Sequence, residues 1–251
     1  MNTLLKLSWV ELKLFIREPI TMIFTFALPL ISLFVLSEVF GTTPQTEGGE
    51  IAFRGVAPTD YYISAYVGLV IAAVGLISLP VHLSSYKEKG VLRRFRASSI
   101  SVKNLLSSQV IVTFIITLIC VIILFIAAKL AYDVTMPNSP GLLILAFIPS
   151  VLCFAAIGVL LGALLPTARA AQGVGLLLFF VMFFLGGSGP PFDVMSPTLQ
   201  TVGDFTPMKW AVIAMQDVWL VGFGWNWTAF GVVIGIMVGA WILAIRLFRW
   251  D

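Results

Sequence analysis

Six long apolar segments, at 20–40, 60–82, 104–128, 141–165, 171–187 and 225–247, constrain this chain more than any other feature. About 20 apolar residues, rising 1.5 Å each in a helix, cross the ~30 Å of hydrocarbon in a bilayer. Composition agrees: 59% of residues are hydrophobic and 11% charged, whereas a soluble domain is roughly half apolar and a quarter charged. The expected fold class is all-α integral membrane, one domain over 1–251, with six transmembrane helices. Cys120 and Cys153 fall inside apolar segments, where thiols act as small hydrophobes.

Charge orients the spans. The segment from Val81 to Lys103 carries Lys87, Lys89, Arg93, Arg94, Arg96 and Lys103, the densest basic run in the chain. Short loops rich in Lys and Arg stay in the cytoplasm. With that loop inside, alternation puts Lys6, Lys13, Arg17, Arg169, Arg246 and Arg249 inside as well. Of the 15 Lys and Arg, only Arg54, Lys129 and Lys209 fall outside. Both termini are therefore expected in the cytoplasm. Residues 1–19 mix Leu, Trp9 and Phe15 with Lys6, Glu11, Lys13, Arg17 and Glu18, a pattern suited to a helix in the headgroup plane.

After the fifth span, Gly186 to Phe192 breaks any helix, and 195–220 is apolar yet carries Asp204, Lys209 and Asp217. Residues 187–222 are expected to form short helices that dip into the outer leaflet and return, the alternative being an ordinary extracellular loop. Broken backbone at that depth needs cover from protein or water.

Enzyme signatures are missing. No Gly-rich loop leads into Lys-Ser or Lys-Thr, so the chain offers no nucleotide phosphate cradle. His82 is the single histidine, which rules out a histidine metal cluster, and no His-Glu-x-x-His or Gly-x-Ser-x-Gly occurs. The basic residues form one short loop and not an extended face, so nucleic acid is not an expected partner. Glu38, Lys129 and Arg169 sit at segment ends, so no ionisable group is placed at mid-membrane for an ion-coupled carrier. Any energy for transport must come from outside the chain.

Small and hydroxyl residues form stripes at helical spacing. Thr21, Thr25 and Ser32 share a face of the first span; Ser64, Gly68, Gly75, Ser78 and His82 one of the second; Gln109, Thr113, Thr117 and Cys120 one of the third. Such residues serve close helix packing or line a path. Gly158-x-x-x-Gly162 and Gly231-x-x-x-Gly235-x-x-x-Gly239 are close-contact motifs, within one subunit or between two.

Three stretches together resemble the type-2 ABC transporter permease family. Ile16-Arg17-Glu18-Pro19-Ile20-Thr21-Met22, leading to Leu28-Pro29-Leu30, is similar to the family's entry to the first span. Glu88-Lys89-Gly90-Val91-Leu92-Arg93-Arg94-Phe95-Arg96-Ala97-Ser98-Ser99-Ile100-Ser101 resembles its coupling helix, with Ser99 where the family often has proline. The broken fifth span, followed by Asp204-Phe205-Thr206-Pro207-Met208-Lys209-Trp210, resembles its outer re-entrant helices.

The resemblance implies the transmembrane subunit of an ATP-driven exporter. It pairs with a second copy or a related permease and docks a separate ABC ATP-binding subunit. This chain would bind no cofactor, with ATP and Mg held by the partner. Within 84–101, a helix from Tyr86 to Arg96 would anchor Val91, Leu92 and Phe95 on the partner. Gly90 would allow close approach, and Glu88, Arg93 and Arg94 would supply charged contacts. The expected path is lined by the first, second and fifth spans. Its candidate residues are Thr21, Thr25, Ser32, Ser64, Ser78, Phe179 and Phe183, hydroxyls and rings that suit an amphipathic drug-, antibiotic- or lipid-like cargo. The expected location is the cell (plasma) membrane of a bacterium or archaeon. Alternatives are a non-transporting membrane assembly protein, a channel, or a polysaccharide exporter permease within the same family.

Overall fold

A computed structural model describes residues 3–41, 43, 46–47, 50–51, 53–97 and 102–247. Among them, six helices are long and apolar enough to cross a membrane: Pro19–Phe40, Pro58–Glu88, Asn104–Tyr132, Pro140–Leu164, Ala168–Leu185 and Trp227–Leu247. An amphipathic helix, Thr3–Ile16, precedes them. Two short helices, Pro197–Gly203 and Pro207–Trp219, separate the fifth span from the sixth. A two-residue antiparallel ladder pairs Thr46–Glu47 with Glu50–Ile51 in the connection after the first span.

Proline marks several starts. Pro19, Pro58, Pro140, Pro197 and Pro207 open their helices, where the missing N–H would have had no intrahelical partner anyway. Side chains cap others: Thr167 Oγ1 accepts from the Ala170 N–H, and Asn226 Oδ1 from the Ala229 N–H. Inside the first and second spans, Pro29 and Pro80 each follow a widened π turn, Ile23–Ala27 and Val74–Ser78. A proline ring crowds the carbonyl one turn back and leaves it without a donor, and a π turn relieves both problems.

The second span is the axis of the bundle. Its apolar window is buried throughout, against 28% for the first span and 22% for the fifth and the sixth. Glycine sets how closely its neighbours approach. A Cβ on Gly158 of the fourth span would strike the backbone carbonyl of Gly75 in the second, and a Cβ on Gly162 would strike Leu83. The Gly158 motif is thus a contact inside one chain. The similar stripe Gly231, Gly235 and Gly239 faces open space, so it takes no part in packing within the subunit.

The second helix runs on to Glu88 instead of ending at 82, so Tyr86 to Arg96 is not one helix. Gly90, at φ +64°, breaks it, and a separate helix, Val91–Ala97, follows. Lys89 and Gly90 leave the helix because glycine alone takes the left-handed conformation at no steric cost. Helix Pro207–Trp219 lies within the bundle against the second, fourth, fifth and sixth spans, with Met208, Ala211, Val212 and Met215 buried. Val212 fills the space a Cβ on Gly68 would need, ten residues or about 15 Å along the second helix from Pro58. The two ends of the bundle differ in charge. Lys6, Lys13, Arg17, Lys87, Lys89, Arg94, Arg169 and Arg246 lie at or beside helix ends on one side, the basic end. Glu38, Asp60, Asp133, Asp193, Asp204 and Asp217 lie at the acidic end.

Candidate functional site

At the basic end, the last turn of the second helix binds the connection 165–167 between the fourth and fifth spans. Lys87 Nζ donates to the carbonyl oxygens of Gly162, Ala163 and Leu165 at 3.3, 2.7 and 3.2 Å. These are carbonyls that the end of a helix leaves without donors. Ser84 Oγ adds a bond to the Leu165 carbonyl at 3.3 Å. The Ala168 N–H, first in the fifth span, donates to Glu88 Oε2 at 3.0 Å. One cation therefore closes the C-terminus of the fourth span, and the carboxylate beside it closes the N-terminus of the fifth. Both charges complement the helix dipoles.

The opposite face of the same turn holds the N-terminal helix. Tyr86 Oη donates to Glu11 Oε1 at 2.6 Å, and Thr21 Oγ1 donates to Glu18 Oε2 at 3.0 Å. His82 Nε2 lies 3.3 Å from Glu18 Oε2. Glu11, Ser78, His82, Gln109 and Thr113 line a cavity of about 10 Å³, room for roughly one water. Burial pushes the Glu11 carboxyl above its ordinary value, against the opposing pull of Tyr86 and His82. Burial acts the same way on Glu18, but the neighbouring His82 ring and the Thr21 hydroxyl outweigh it and hold the carboxyl below its ordinary value.

Beyond Gly90, Leu92 is buried, Val91 half-buried and Arg94 exposed. The side chains of Arg93, Phe95 and Arg96, and residues 98–101, lie outside the described residues. Glu88, although exposed, has its carboxylate on the chain's own fifth span.

The residues picked out for a path are dispersed. Thr21 is buried and bonded to Glu18; Thr25 is buried with its hydroxyl unpartnered; Ser32 is half-buried. Ser64 is buried and donates to the Tyr61 carbonyl of its own helix at 2.9 Å, while Ser78 faces the small cavity beside Glu11. Phe179 is fully buried, edge-on to Phe24 at 5.7 Å, and Phe183 is half-buried. Phe24 also meets Phe180, so aromatic rings join the first span to the fifth. Around that seam both spans expose large apolar side chains: Ile23, Ile31 and Phe34 from the first, Leu177, Phe180 and Phe184 from the fifth.

Sequence reasoning missed a network at the acidic end. Arg54, with φ +58°, reaches from the connection before the second span to the helix before the sixth. Its Nη2 lies 2.5 Å from Asp217 Oδ1 and its Nη1 donates to Gln216 Oε1 at 3.3 Å. Its backbone N–H donates to Asp193 Oδ2, and its guanidinium covers the Phe223 ring at 4.0 Å. Asn226 Nδ2 donates to the other Asp217 oxygen at 2.8 Å. Arg54, one of three basic residues on a side rich in carboxylates, was the available signal.

The chain that folds into five spans around a buried second one, with a charged turn after it, matches a known family over most of its length. The family model described as "ABC-2 type transporter" matches residues 3–218. The chain belongs to this family. It is also similar to the protein named "Putative transport permease YvfS" of Bacillus subtilis (strain 168), 23% identical over 214 residues, covering 82% of this chain and 81% of the relative. The ABC-2 chain is thus a multi-pass transporter permease, and its family implies an ABC ATP-binding partner.

Proposed function

We propose that this chain is the membrane-spanning subunit of an ATP-driven exporter, with the turn at 84–101 as the place where a separate ATP-binding subunit docks. The observation that carries the reading is the double attachment of that turn. One face holds the N-terminal helix and first span through Glu11 and Glu18; the other holds the fourth and fifth spans through Lys87 and Glu88. A push on Val91–Ala97 therefore reaches every span expected to border the path. Packed helices held this way move as rigid bodies between alternative arrangements.

In this reading Leu92 and Val91 seat the short helix, and Arg93, Arg94 and Phe95 meet the partner. Gly90 is the hinge, and Glu88 transmits movement to the fifth span. Two copies, or one copy and a related permease, meet along the apolar seam of the first and fifth spans, with Thr21, Thr25, Ser32 and Phe183 nearest the shared path. Ser64, Ser78 and Phe179 stand behind them. The cargo is an amphipathic drug-, antibiotic- or lipid-like molecule, moved outward across the cell membrane with both chain termini in the cytoplasm. Residues 187–222 form the outer re-entrant element, and ATP and Mg stay on the partner.

Purifying the tagged chain from its native membrane tests this. A soluble ATPase with a phosphate-binding loop should co-purify and hydrolyse ATP faster with the permease than alone. Gly90→Val should keep the permease folded and abolish that stimulation. A permease that brings down no ATPase overturns the reading.

A further inference from the structure

Between the third and fourth spans lies an apolar crevice of about 120 Å³, lined by Val67, Leu118, Val121, Leu143, Ile144, Phe147 and Trp219. Val67 and Trp219 are buried and form its floor, whereas Leu118 and Ile144 are exposed at its mouth. All the side chains lining it are apolar except for the indole N–H of Trp219. That N–H is turned away, donating to the Thr135 carbonyl at 3.3 Å.

The crevice reaches from near the acidic end toward the middle of the bilayer. Ile144 and Phe147 lie four and seven residues past Pro140, about 6 and 10 Å along the helix from the acidic end. The floor is preformed. The Asn138 and Ser139 N–H groups donate to the Trp219 and Val218 carbonyls at 2.9 and 3.1 Å, and the Phe125 ring packs against Trp219 at 5.8 Å.

We propose that this crevice is a binding site for one acyl chain of a bilayer phospholipid from the leaflet at the acidic end. The spans cross the hydrocarbon, so the mouth opens on acyl chains and not on water. A dry cavity of ~150 Å³ lined by apolar side chains takes up benzene, so a space of this size accepts a run of methylenes. Left empty, it forfeits dispersion contacts along its whole lining. The third and fourth spans pack loosely here because no glycine pair draws them together, unlike Gly75 and Gly158. The site depends on the spans and the helix Pro207–Trp219 alone and stands whether or not a partner ATPase exists.

Tryptophan quenching tests it. The full chain is reconstituted in phosphatidylcholine vesicles whose acyl chains carry bromine at mid-chain, a contact quencher. Trp219 is 3% exposed and Trp227 is 76% exposed. Of these two, only Trp227 would be quenched in a closed structure. The site predicts that Trp219→Phe removes a quenchable component as large as the one Trp227→Phe removes. It further predicts that Val121→Phe, which fills the crevice and keeps Trp219, loses that component. A Trp219 component equally bright in brominated and plain vesicles overturns the proposal, whether a second protein copy covers the crevice or the spans close it. Quenching that Val121→Phe leaves unchanged overturns it too.

Discussion

Removing Lys87 or Glu88 should loosen the joint between the fourth and fifth spans by an amount the structure allows us to work out. Lys87→Met keeps the aliphatic stem and deletes the ammonium that serves three carbonyls. A hydrogen bond to a charged group contributes about 1.5–3 kcal/mol. The three bonds share one half-buried ammonium, so the set counts as about one such bond, near 2 kcal/mol. That is roughly 30-fold in a local opening equilibrium, at 1.4 kcal/mol per tenfold. Glu88→Ala acts on one amide. The Ala168 N–H loses its acceptor, and the loss of an exposed helix cap costs about 1 kcal/mol, roughly fivefold. Hydrogen–deuterium exchange by mass spectrometry on the peptide covering 162–171, in lipid nanodiscs, reads both. Lys87→Met should speed exchange there by more than tenfold and leave peptides at the acidic end unchanged. Glu88→Gln, which keeps an acceptor oxygen, should stay near the parent rate. Exchange within threefold of the parent in Lys87→Met would refute the joint.

Gly158→Ala should cost about 1–3 kcal/mol in detergent melting, because its Cβ meets the Gly75 backbone, which has no rotamer to yield. Gly235→Ala, on the open face, should melt at or above the parent temperature. Arg54→Met should destabilise by about 3 kcal/mol, the low end for breaking a buried pair, since it leaves the Asp217 carboxylate buried while Arg54 was itself partly exposed. Adding Asp217→Leu should restore part of the loss. Glu11 binds its proton more tightly folded than unfolded, so its contribution is fully present below about 4.5 and is lost as pH rises through the raised folded value. Glu11→Gln should remove that downward slope from the melting temperature against pH. Glu18, with its lowered value, acts in the opposite sense as pH falls and should keep its slope in the variant.

The spans and the separation of a basic from an acidic end were legible because both rest on local composition: runs of apolar residues and clusters of Lys and Arg. What depends on distant partners was not. Gly158 and Gly235 sit in matching small-residue patterns, yet one touches Gly75 and the other nothing, and only the packing of the fourth span on the second decides that. Glu88 read as a charge for a partner protein, but its carboxylate reaches a residue 80 positions along, at the start of the fifth span. The end of the second helix was placed too early because Ser84, Ser85, Tyr86 and Lys87 look polar. They stay helical because Ser84, Tyr86 and Lys87 find partners on the fourth span and on Glu11. The pairing of Glu11 with Tyr86 and of Arg54 with Asp217 joins residues 75 and 163 positions apart, beyond any periodicity.

Whether force from a separate motor enters at the turn beyond the second span can be read by photo-cross-linking from Arg94. Arg94 is exposed on the short helix, so a photoreactive residue there leaves the packing of Leu92 intact. An adduct should form in native membranes with a subunit carrying a nucleotide phosphate-binding loop, and a cysteine at the same position should resist an impermeant maleimide added outside intact cells. An Arg94 position labelled from outside, with no ATP-binding adduct, would contradict force entry at this turn.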